Sequence, residues 1–361
     1  MRKFLVRLGR FTLMRAFWLF LALVVAVFLT VVIANMGGEM DRVKRAEIRQ
    51  AIGMAVFQNP ANKGVPRDVL EALVIDLARV EYERLGLDRP FFPERALRYT
   101  WTAISLQLGR AEVMASDAGS KDVTRILMER LPSTLILFAT AELLLFLIAL
   151  SFALFLSRRY GSVIDRVSIA LAPSSAAPGW FYGIFLILIF AAVLRVLPWG
   201  GMLSLPPPKN TGVYLLSLLE HMILPVGAIL IGAVFANIYS WRTFFLIYSS
   251  EDYVELARAK GLSGQAVERR YILRPTLPPI ITSFLLTLIT MWMGQIVLEY
   301  VFNWPGIGQI FYRATQVSDT PVIVGVIVIY GYLLAATVFV LDFIYAILDP
   351  RVRVEAAGAR G

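Results

Sequence analysis

Apolar runs of membrane-spanning length constrain the fold of this chain more than any other feature. The first run covers residues 17–34, and its 18 residues are enough to cross a hydrocarbon core of about 30 Å. Five more runs follow, at residues 134–157, 169–196, 222–248, 277–298 and 322–348. Pro173 and Pro178 interrupt the third run, so we expect that span to be broken. The pattern predicts an all-α membrane protein with six transmembrane helices and both termini on one side.

The composition agrees with a membrane protein and excludes several kinds of chemistry. Of the 361 residues, 58% are hydrophobic and only 17% are charged, whereas an average soluble domain is about one-quarter charged. The absence of cysteine excludes disulfides and thiolate metal sites. His221 is the only histidine, so no site that needs two histidines is expected, and we interpret it as a partner at a helix end. No catalytic residue, metal or cofactor is expected in this chain.

A hydrophilic insert separates the first two apolar runs. Residues 37–130 contain 15 Lys and Arg and 14 Asp and Glu, a balance that is typical of a water-facing segment. Apolar side chains at helical spacing follow Pro66, and Gly86 offers a stop, so the pattern predicts an amphipathic helix over about residues 67–85. The apolar positions of that helix are Val69, Leu70, Leu73, Val74 and Leu77.

The distribution of positive charge predicts the orientation. With a cytoplasmic N-terminus, the tails and short loops on that side carry seventeen Lys and Arg, against three on the other side. The loop after the fourth run and its margins contribute Arg242, Arg258, Lys260, Arg269, Arg270 and Arg274. Cytoplasmic loops of membrane proteins are enriched in this way, so we expect cytoplasmic termini and an extracytoplasmic insert. Topology therefore accounts for the net charge of +9, and no nucleic-acid partner is expected.

The longest polar segment of the C-terminal half lies between the fourth and fifth runs, at residues 251–279. Four side chains at helical spacing predict a short amphipathic helix that ends near Gly261: Tyr253, Leu256, Ala257 and Lys260. Ser263 can cap a second short helix that runs to about Leu273. Three prolines should then end this helix and start the fifth span: Pro275, Pro278 and Pro279. The pattern alone leaves two roles open, a docking element or a basic loop that only sets the topology.

Two other places carry polar residues near the membrane. Residues 299–308 follow the fifth run, where Tyr300 and Trp304 are typical of an interfacial aromatic belt. In the same string, Pro305, Gly306 and Gly308 predict a tight turn. Glu142 lies within the second run, where a carboxyl group is costly unless it faces the bundle or an aqueous path. Structural pairing and a place in a pathway are both open for Glu142.

Several of these strings resemble one known family. Residues 253–263, with Leu273–Arg274 and Leu277–Pro278, resemble the cytoplasmic EAA loop of ABC-importer membrane subunits. Leu256 stands where the general EAA form has alanine, as in the oligopeptide and dipeptide branch. Residues 172–181, 197–202, 299–308 and 342–353 resemble other segments of that branch, and the matches cover most of residues 83–353. The family's usual Pro-Gly-Asp-Pro string after the first span is absent.

The resemblance implies a type I ABC importer fold and a B-type membrane subunit. It divides the chain into a basic lead-in with the first helix (1–36), an extracytoplasmic insert (37–133) and a core permease domain (134–361) with a coupling loop at 249–279. The residues expected to couple to an ATPase are Asp252, Tyr253, Glu255, Ala257, Arg258, Ala259, Lys260, Gly261 and Leu262. The residues expected near the translocation pathway are Glu142, Glu299, Phe302, Asn303 and Trp304.

The resemblance also implies partners. They are a second homologous permease subunit, two cytoplasmic ATP-binding subunits, an extracytoplasmic solute-binding protein and the lipid bilayer. ATP and Mg²⁺ would be held by the partner subunits, because no G-x-x-x-x-G-K-[ST] string occurs in this chain. The residues do not choose among peptides, nickel chelates and oligosaccharides as the substrate.

Two other functions were weighed against an importer subunit. A secondary transporter driven by an ion gradient would be expected to carry acidic pairs at mid-membrane and broken helices in matching repeats. Few acidic residues interrupt the apolar runs, and no such repeat is visible. A membrane enzyme would need a nucleophile and base pair, which the sequence does not offer.

Overall fold

The computed structural model describes residues 2–36, 38–294 and 296–348, and helices make up most of this part of the chain. The first five helices are α1 (Arg2–Asn35), α2 (Glu39–Gln58), α3 (Arg67–Arg84), α4 (Ala96–Ile104) and α5 (Val123–Ser157). The next five are α6 (Val163–Leu171), α7 (Gly179–Leu186), α8 (Thr211–Ser249), α9 (Asp252–Ala259) and α10 (Gly264–Val267). The last four are α11 (Arg274–Gly294), α12 (Ile296–Val301), α13 (Ile307–Gln316) and α14 (Thr320–Leu348). Residues 349–353 of the C-terminal string, with its arginines, lie outside the described residues.

The membrane spans follow the apolar runs. Five helical segments of the described chain are long and apolar enough to cross a membrane, and a bent pair of shorter helices makes a sixth. The predicted all-α membrane architecture is confirmed, and the described helices give six spans when the bent pair is counted as one span. Helices α5 and α8 begin eleven residues before their apolar runs, because hydropathy marks only the part of a helix that suits lipid. His221 was expected at a helix end, but it is buried ten residues inside α8, with Nδ1 2.7 Å from the Ser217 carbonyl oxygen.

The third span is broken, as the two prolines predicted. Helix α6 passes into a 3₁₀ turn at Ala172–Ala176, and the chain bends by 100° before α7 continues into a π-helical segment at Ile187–Val193. The bend lies against α8 at a pair of glycines. A Cβ atom on Gly232 would lie 3.0 Å from the Cα atom of Gly179, so only small residues allow this approach of the two backbones.

The prediction that prolines end the second loop helix was wrong. Helix α10, a π-helical segment at Glu268–Leu273 and α11 follow one another without a break, and the fifth span starts at Gly264. A π turn pairs a carbonyl with the N–H group five residues later. Pro275 lies directly after this π-helical segment, in the first turn of α11, and the helix continues through it. Pro278 and Pro279 lie inside α11.

The chain forms two units. The core unit comprises Met1–Leu13, Arg130–Tyr312 and Ala336–Gly361, and the insert unit comprises Met14–Glu129 and Arg313–Ala335. In the insert unit, the predicted amphipathic helix is present as α3, and Gly86 follows it with a φ of 67°. Helices α2 and α3 share a small apolar cluster of Val56, Leu70 and Val74 with Ile52 against it.

Part of the insert packs against membrane-spanning helices, so the insert is not exposed to water on all sides. The ring of Phe92 meets the ring of Phe28 in α1 edge to face, with centroids 6.5 Å apart. The hydroxyl of Tyr332 in α14 donates a hydrogen bond to the carbonyl oxygen of Ile104 at the end of α4. The balanced charge of the insert gives no sign of this contact, because only a few residues of the insert take part in it.

A buried carboxylate ties the insert to the start of the last span. Asp319 precedes α14 and is fully buried. Its Oδ1 accepts a hydrogen bond from the backbone N–H of Glu112 at 3.2 Å, and its Oδ2 accepts from Val113 and Met114, each at 2.9 Å. Three backbone donors in an irregular segment therefore depend on one side chain.

We expect Asp319→Ala to destabilise the insert unit by about 2–4 kcal/mol, because it leaves three backbone N–H groups without their acceptor. Hydrogen–deuterium exchange should rise sharply at residues 112–114. Asp68→Ala, which removes an exposed carboxylate of the same insert, is the control and should change stability by less than about 0.5 kcal/mol. Equal exchange in the two variants would contradict the role of Asp319.

Candidate functional site

The polar loop between the fourth and fifth spans contains the predicted short helix. Helix α9 has Asp252 and Glu255 in its first turn and Arg258 in its last, an order of charges that suits the helix dipole. Val254 and Ala257 are buried, at 0% and 3% exposure. The other positions of α9 are exposed, so the helix has one narrow inner side and a broad polar outer face.

The inner side of α9 joins a cluster made by the ends of three spans. The cluster brings together Ala149, Ala153 and Leu156 of α5, Ile238, Trp241 and Phe245 of α8, Ile280 of α11, and Val267 and Ile272. Trp241 and Phe245 are among the largest fully buried side chains in the described part of the chain. A displacement of α9 therefore acts directly on the ends of α5, α8 and α11.

Gly261 ends α9 in the way that the sequence predicted. Its φ of 76° lies in the left-handed region. The N–H of Gly261 bonds to the Arg258 carbonyl at 2.9 Å, and the N–H of Leu262 bonds to the Ala257 carbonyl at 3.3 Å. This pair of hydrogen bonds is a Schellman motif. Ser263 then caps α10, because its hydroxyl accepts a hydrogen bond from the N–H of Ala266.

Two ion pairs hold the elements around this loop. Arg158 at the end of the second span pairs with Glu268. Arg242 of α8 forms a two-pronged pair with Asp165 of α6, in which Nη2 lies 2.6 Å from Oδ2, and both side chains are buried. Arg242 was counted above as a loop cation, but it lies inside α8. Its role was missed because nothing local to Arg242 in the sequence points to a partner 77 residues away.

The predicted coupling residues lie together on α9 and its C-terminal turn. All but one of them are exposed. Leu256, which was not among the predicted residues, is exposed beside them and, with Tyr253 and Leu262, adds apolar surface to this polar face. Ala257 is the exception, since it packs into the cluster beneath the helix. Their contact with an ATP-binding subunit stays a prediction.

The string after the fifth run folds into a short helix, a turn and a second helix. Helix α12 ends at Val301, the chain turns over residues 302–306, and α13 starts at Ile307. Trp304 is fully buried, and its Nε1 donates a hydrogen bond to the Ser133 carbonyl at 2.9 Å. The interpretation of Trp304 as part of an aromatic belt at the lipid interface was wrong. Only Tyr300 of the two is substantially exposed.

The turn closes around the carboxylate of Glu299, which is 1% exposed. Its Oε1 accepts a hydrogen bond from the hydroxyl of Thr134 at 2.8 Å, and its Oε2 accepts from the N–H of Gln309 at 3.1 Å. The N–H of Gly308 also donates to this carboxylate. The hydroxyl of Thr134 in turn accepts from the N–H of Ile307 at 2.8 Å. The carboxyl group therefore lies at the N-terminus of α13, where the helix favours its anionic form.

The two glycines of the turn make room for that carboxylate. A Cβ atom on Gly306 would overlap with the carboxylate of Glu299. A Cβ atom on Gly308 would lie 2.8 Å from the Cα atom of Ile296 and 3.0 Å from Glu299 Oε2. The tight turn predicted from these glycines is confirmed, and its cause is the close approach of a carboxylate and not a positive φ.

The structure places three of the five predicted pathway residues in this turn, and a fourth, Glu299, lies in α12 directly before it. Phe302 and Trp304 belong to a buried cluster that includes Phe138 and Ala141 of α5, and Asn303 accepts a hydrogen bond from the side chain of Gln309 at 2.6 Å. Glu142 follows Ala141 and is 4% exposed. In the described part of the chain, Glu142 Oε2 has no hydrogen-bond partner. Whether these residues line a pathway stays a prediction.

Comparison with known families settles the class of protein. The sequence model of the family described as "Binding-protein-dependent transport system inner membrane component" matches residues 145–354, which include both α9 and the turn around Glu299. The chain belongs to this family. The resemblance read from the loop and the turn is therefore confirmed.

Curated relatives of this permease extend the match beyond the family segment. The oligopeptide transport system permease protein of Bacillus subtilis is 32% identical over 308 residues, which cover 83% of this chain and 94% of the relative. The di/tripeptide transport system permease protein of Pseudomonas aeruginosa is 32% identical over 289 residues, covering 75% and 83%. The glutathione transport system permease protein of Shigella flexneri is 29% identical over 286 residues, covering 78% and 85%. This permease is thus a multi-pass membrane protein of the ABC-importer class.

We expect Gly306→Ala to destabilise the permease by about 1–3 kcal/mol, because the added methyl group displaces the carboxylate of Glu299 from its donors. Thermal unfolding in detergent measures the effect. Gly227→Ala is the matched control, since its Cβ atom would meet only Leu186 at an ordinary 3.7 Å. If Gly306→Ala unfolded at the same temperature as the control, the tight fit around Glu299 would be refuted.

Proposed function

We propose that this permease forms the translocation pathway of an ATP-driven, binding-protein-dependent importer, and that ATP-binding subunits move it by docking on α9. The observation that supports this most strongly is the division of α9 into two faces. Its outer face is polar and exposed, whereas Val254 and Ala257 lock its inner face into the ends of three spans. A helix with these two faces is suited to receive a force on one side and to deliver it on the other.

The proposed mechanism is alternating access. Two ATP-binding subunits bind ATP and Mg²⁺ and close on each other when ATP is bound. Their movement displaces α9 together with the apolar cluster beneath it. The membrane spans of the core unit then repack as rigid helices. The pathway thereby alternates between a conformation open to the cytoplasm and one open to the extracytoplasmic side. The pairs Arg158–Glu268 and Arg242–Asp165 keep neighbouring elements together during that movement. The permease itself performs no catalysis.

The remaining parts of the importer follow from the same proposal. A second, homologous permease subunit completes the pathway, and a solute-binding protein delivers the substrate on the extracytoplasmic side. The loop that carries α9 and both termini face the cytoplasm, in agreement with the excess of Lys and Arg on that side. We take peptides as the substrate class, because relatives matched over three-quarters or more of this chain are named as oligopeptide, di/tripeptide and glutathione permeases.

Reconstitution in liposomes tests the proposal. We expect uptake of a radiolabelled peptide only when the ATP-binding subunits, the second permease, the binding protein and ATP are all present. A proton or sodium gradient should drive no uptake by this chain alone. Accumulation by the isolated chain on either gradient would instead establish a secondary transporter.

We expect Gly261→Val to uncouple ATP hydrolysis from peptide uptake while the protein is still made and inserted. A β-branched residue is strained at a φ of 76°, and the end of α9 must change its path. ATPase activity and uptake, measured together in the reconstituted importer, report the ratio of peptide moved to ATP consumed, and this ratio should fall at least about fivefold.

Gly264→Ala is the matched control for this variant. Gly264 lies three residues further along the same loop, its φ is not positive, and a Cβ atom there meets nothing within 4 Å. The ratio of transport to hydrolysis should stay as in the unaltered protein. Normal peptide uptake by Gly261→Val would contradict the proposal that ATP-binding subunits dock on α9.

A further inference from the structure

A cavity of about 910 Å³ lies within the insert unit, and its lining includes no residue of α9 or of the turn around Glu299. Its lining comes from the last turns of α1, the start of α14, the first turns of α5 and the insert helices. The volume lies near the upper end of the roughly 300–1,000 Å³ that is usual for ligand pockets. No step of the transport proposal uses this cavity.

The most buried part of the lining, which we call the floor, is apolar. It is formed by side chains from spans and insert that are at most 9% exposed: Val31, Leu87, Ala103, Leu108 and Val324. Val31 belongs to α1 and Val324 to α14, so two membrane-spanning helices contribute to the floor. An occupant of this floor must therefore be apolar.

The more exposed part of the lining carries its charged side chains. Four cationic side chains contribute to it, namely Lys44, Arg98, Arg110 and Arg125, against the single acidic residue Asp122. The carboxylate of Asp122 accepts a hydrogen bond from the N–H of Arg125 at 2.9 Å, so it is engaged in capping α5. Lys44 is paired with Glu47 at 2.9 Å and Arg125 with Glu129 at 3.3 Å. The guanidinium groups of Arg98 and Arg110 remain as the excess of positive charge, which favours an anion next to the apolar floor.

The insert reaches membrane depth beside this cavity. Phe92 contacts Phe28, which lies seven residues before the end of α1, or about 10 Å along the helix axis. On α4, Leu97 and Trp101 project outward at 60% and 66% exposure, one helical turn apart. Exposed tryptophan beside arginine is typical of a helix at the interface between lipid and water.

We propose that this cavity binds an anionic phospholipid of the leaflet on the insert's side, with its phosphate among the arginines and its acyl chains on the apolar floor. A peptide would also offer a carboxylate to the arginines. Its backbone N–H and C=O groups, however, would find few partners on that floor, and unsatisfied backbone groups are costly. Acyl chains need no partners, so lipid fits both parts of the cavity.

Lipid binding to the full-length chain in detergent tests the proposal. The probes are dioleoyl phosphatidylglycerol, dioleoyl phosphatidylcholine with the same chains, the free head group glycerophosphoglycerol, and the peptide trialanine. We expect phosphatidylglycerol to raise the unfolding temperature in a concentration-dependent way, and the other three to have little effect. Native mass spectrometry should show a bound phosphatidylglycerol.

A charge-neutralised variant locates the site. In the triple variant Arg98→Gln, Arg110→Gln and Arg125→Gln, the affinity for phosphatidylglycerol should fall about tenfold to a hundredfold. The matched control, Arg67→Gln, Arg79→Gln and Arg84→Gln, removes three arginines from the exposed face of α3 in the same insert and should keep the affinity. If the triple variant fails to fold, Arg110→Gln alone should weaken binding several-fold.

Four results would overturn the proposal. Phosphatidylcholine binding as tightly as phosphatidylglycerol would show that the arginines do not select a charge. An equal loss in the α3 control would show a general surface attraction. Glycerophosphoglycerol binding as tightly as the lipid would assign the cavity to soluble phosphates. Displacement of the lipid by trialanine would assign it to peptides.

Discussion

The buried carboxylate of Glu299 receives donors from α5 and from the first turn of α13, and the turn of the core unit depends on it. A backbone that leaves its helix inside the fold has N–H and C=O groups that need partners there. Here the side chains of Glu299 and Thr134 supply the missing acceptors, and Trp304 Nε1 donates to the Ser133 carbonyl. The irregular segment can therefore be buried, and the glycines beside it leave the space that the carboxylate occupies.

In the insert unit, too, a buried acidic side chain accepts hydrogen bonds from an irregular backbone segment. Asp319, like Glu299, is a buried acidic side chain that accepts hydrogen bonds from backbone N–H groups. The pair of Asp165 and Arg242 differs, because it joins two helices through opposite charges. Removing one partner of such a buried pair leaves an uncompensated charge, so both groups are fixed together. Acidic residues thus organise the turn around Glu299, the segment at residues 112–114 and the contact between α6 and α8.

Local signals in the sequence predicted much of this structure. The number of spans, the break at Pro173 and Pro178, the amphipathic helix α3 and the left-handed Gly261 all depend on neighbouring residues. The long-range pairs could not be predicted in this way. Glu299 meets Thr134 across 165 positions, and Asp319 meets Glu112 across 207. The turn at Glu299 was located by its glycines and proline, whereas its partner became visible only when α5 was placed beside it.

The short length of α9 has a consequence for coupling. Eight residues are too few for a stable isolated helix, since peptides shorter than about 12–15 residues are marginally helical in water. Helix α9 therefore exists because Val254 and Ala257 are buried against the span ends and because the Schellman turn at Gly261 satisfies its last carbonyls. Its shape and the packing of α5, α8 and α11 are one cooperative arrangement. A partner that binds the outer face of α9 must act on those spans at the same time, without any additional connecting element.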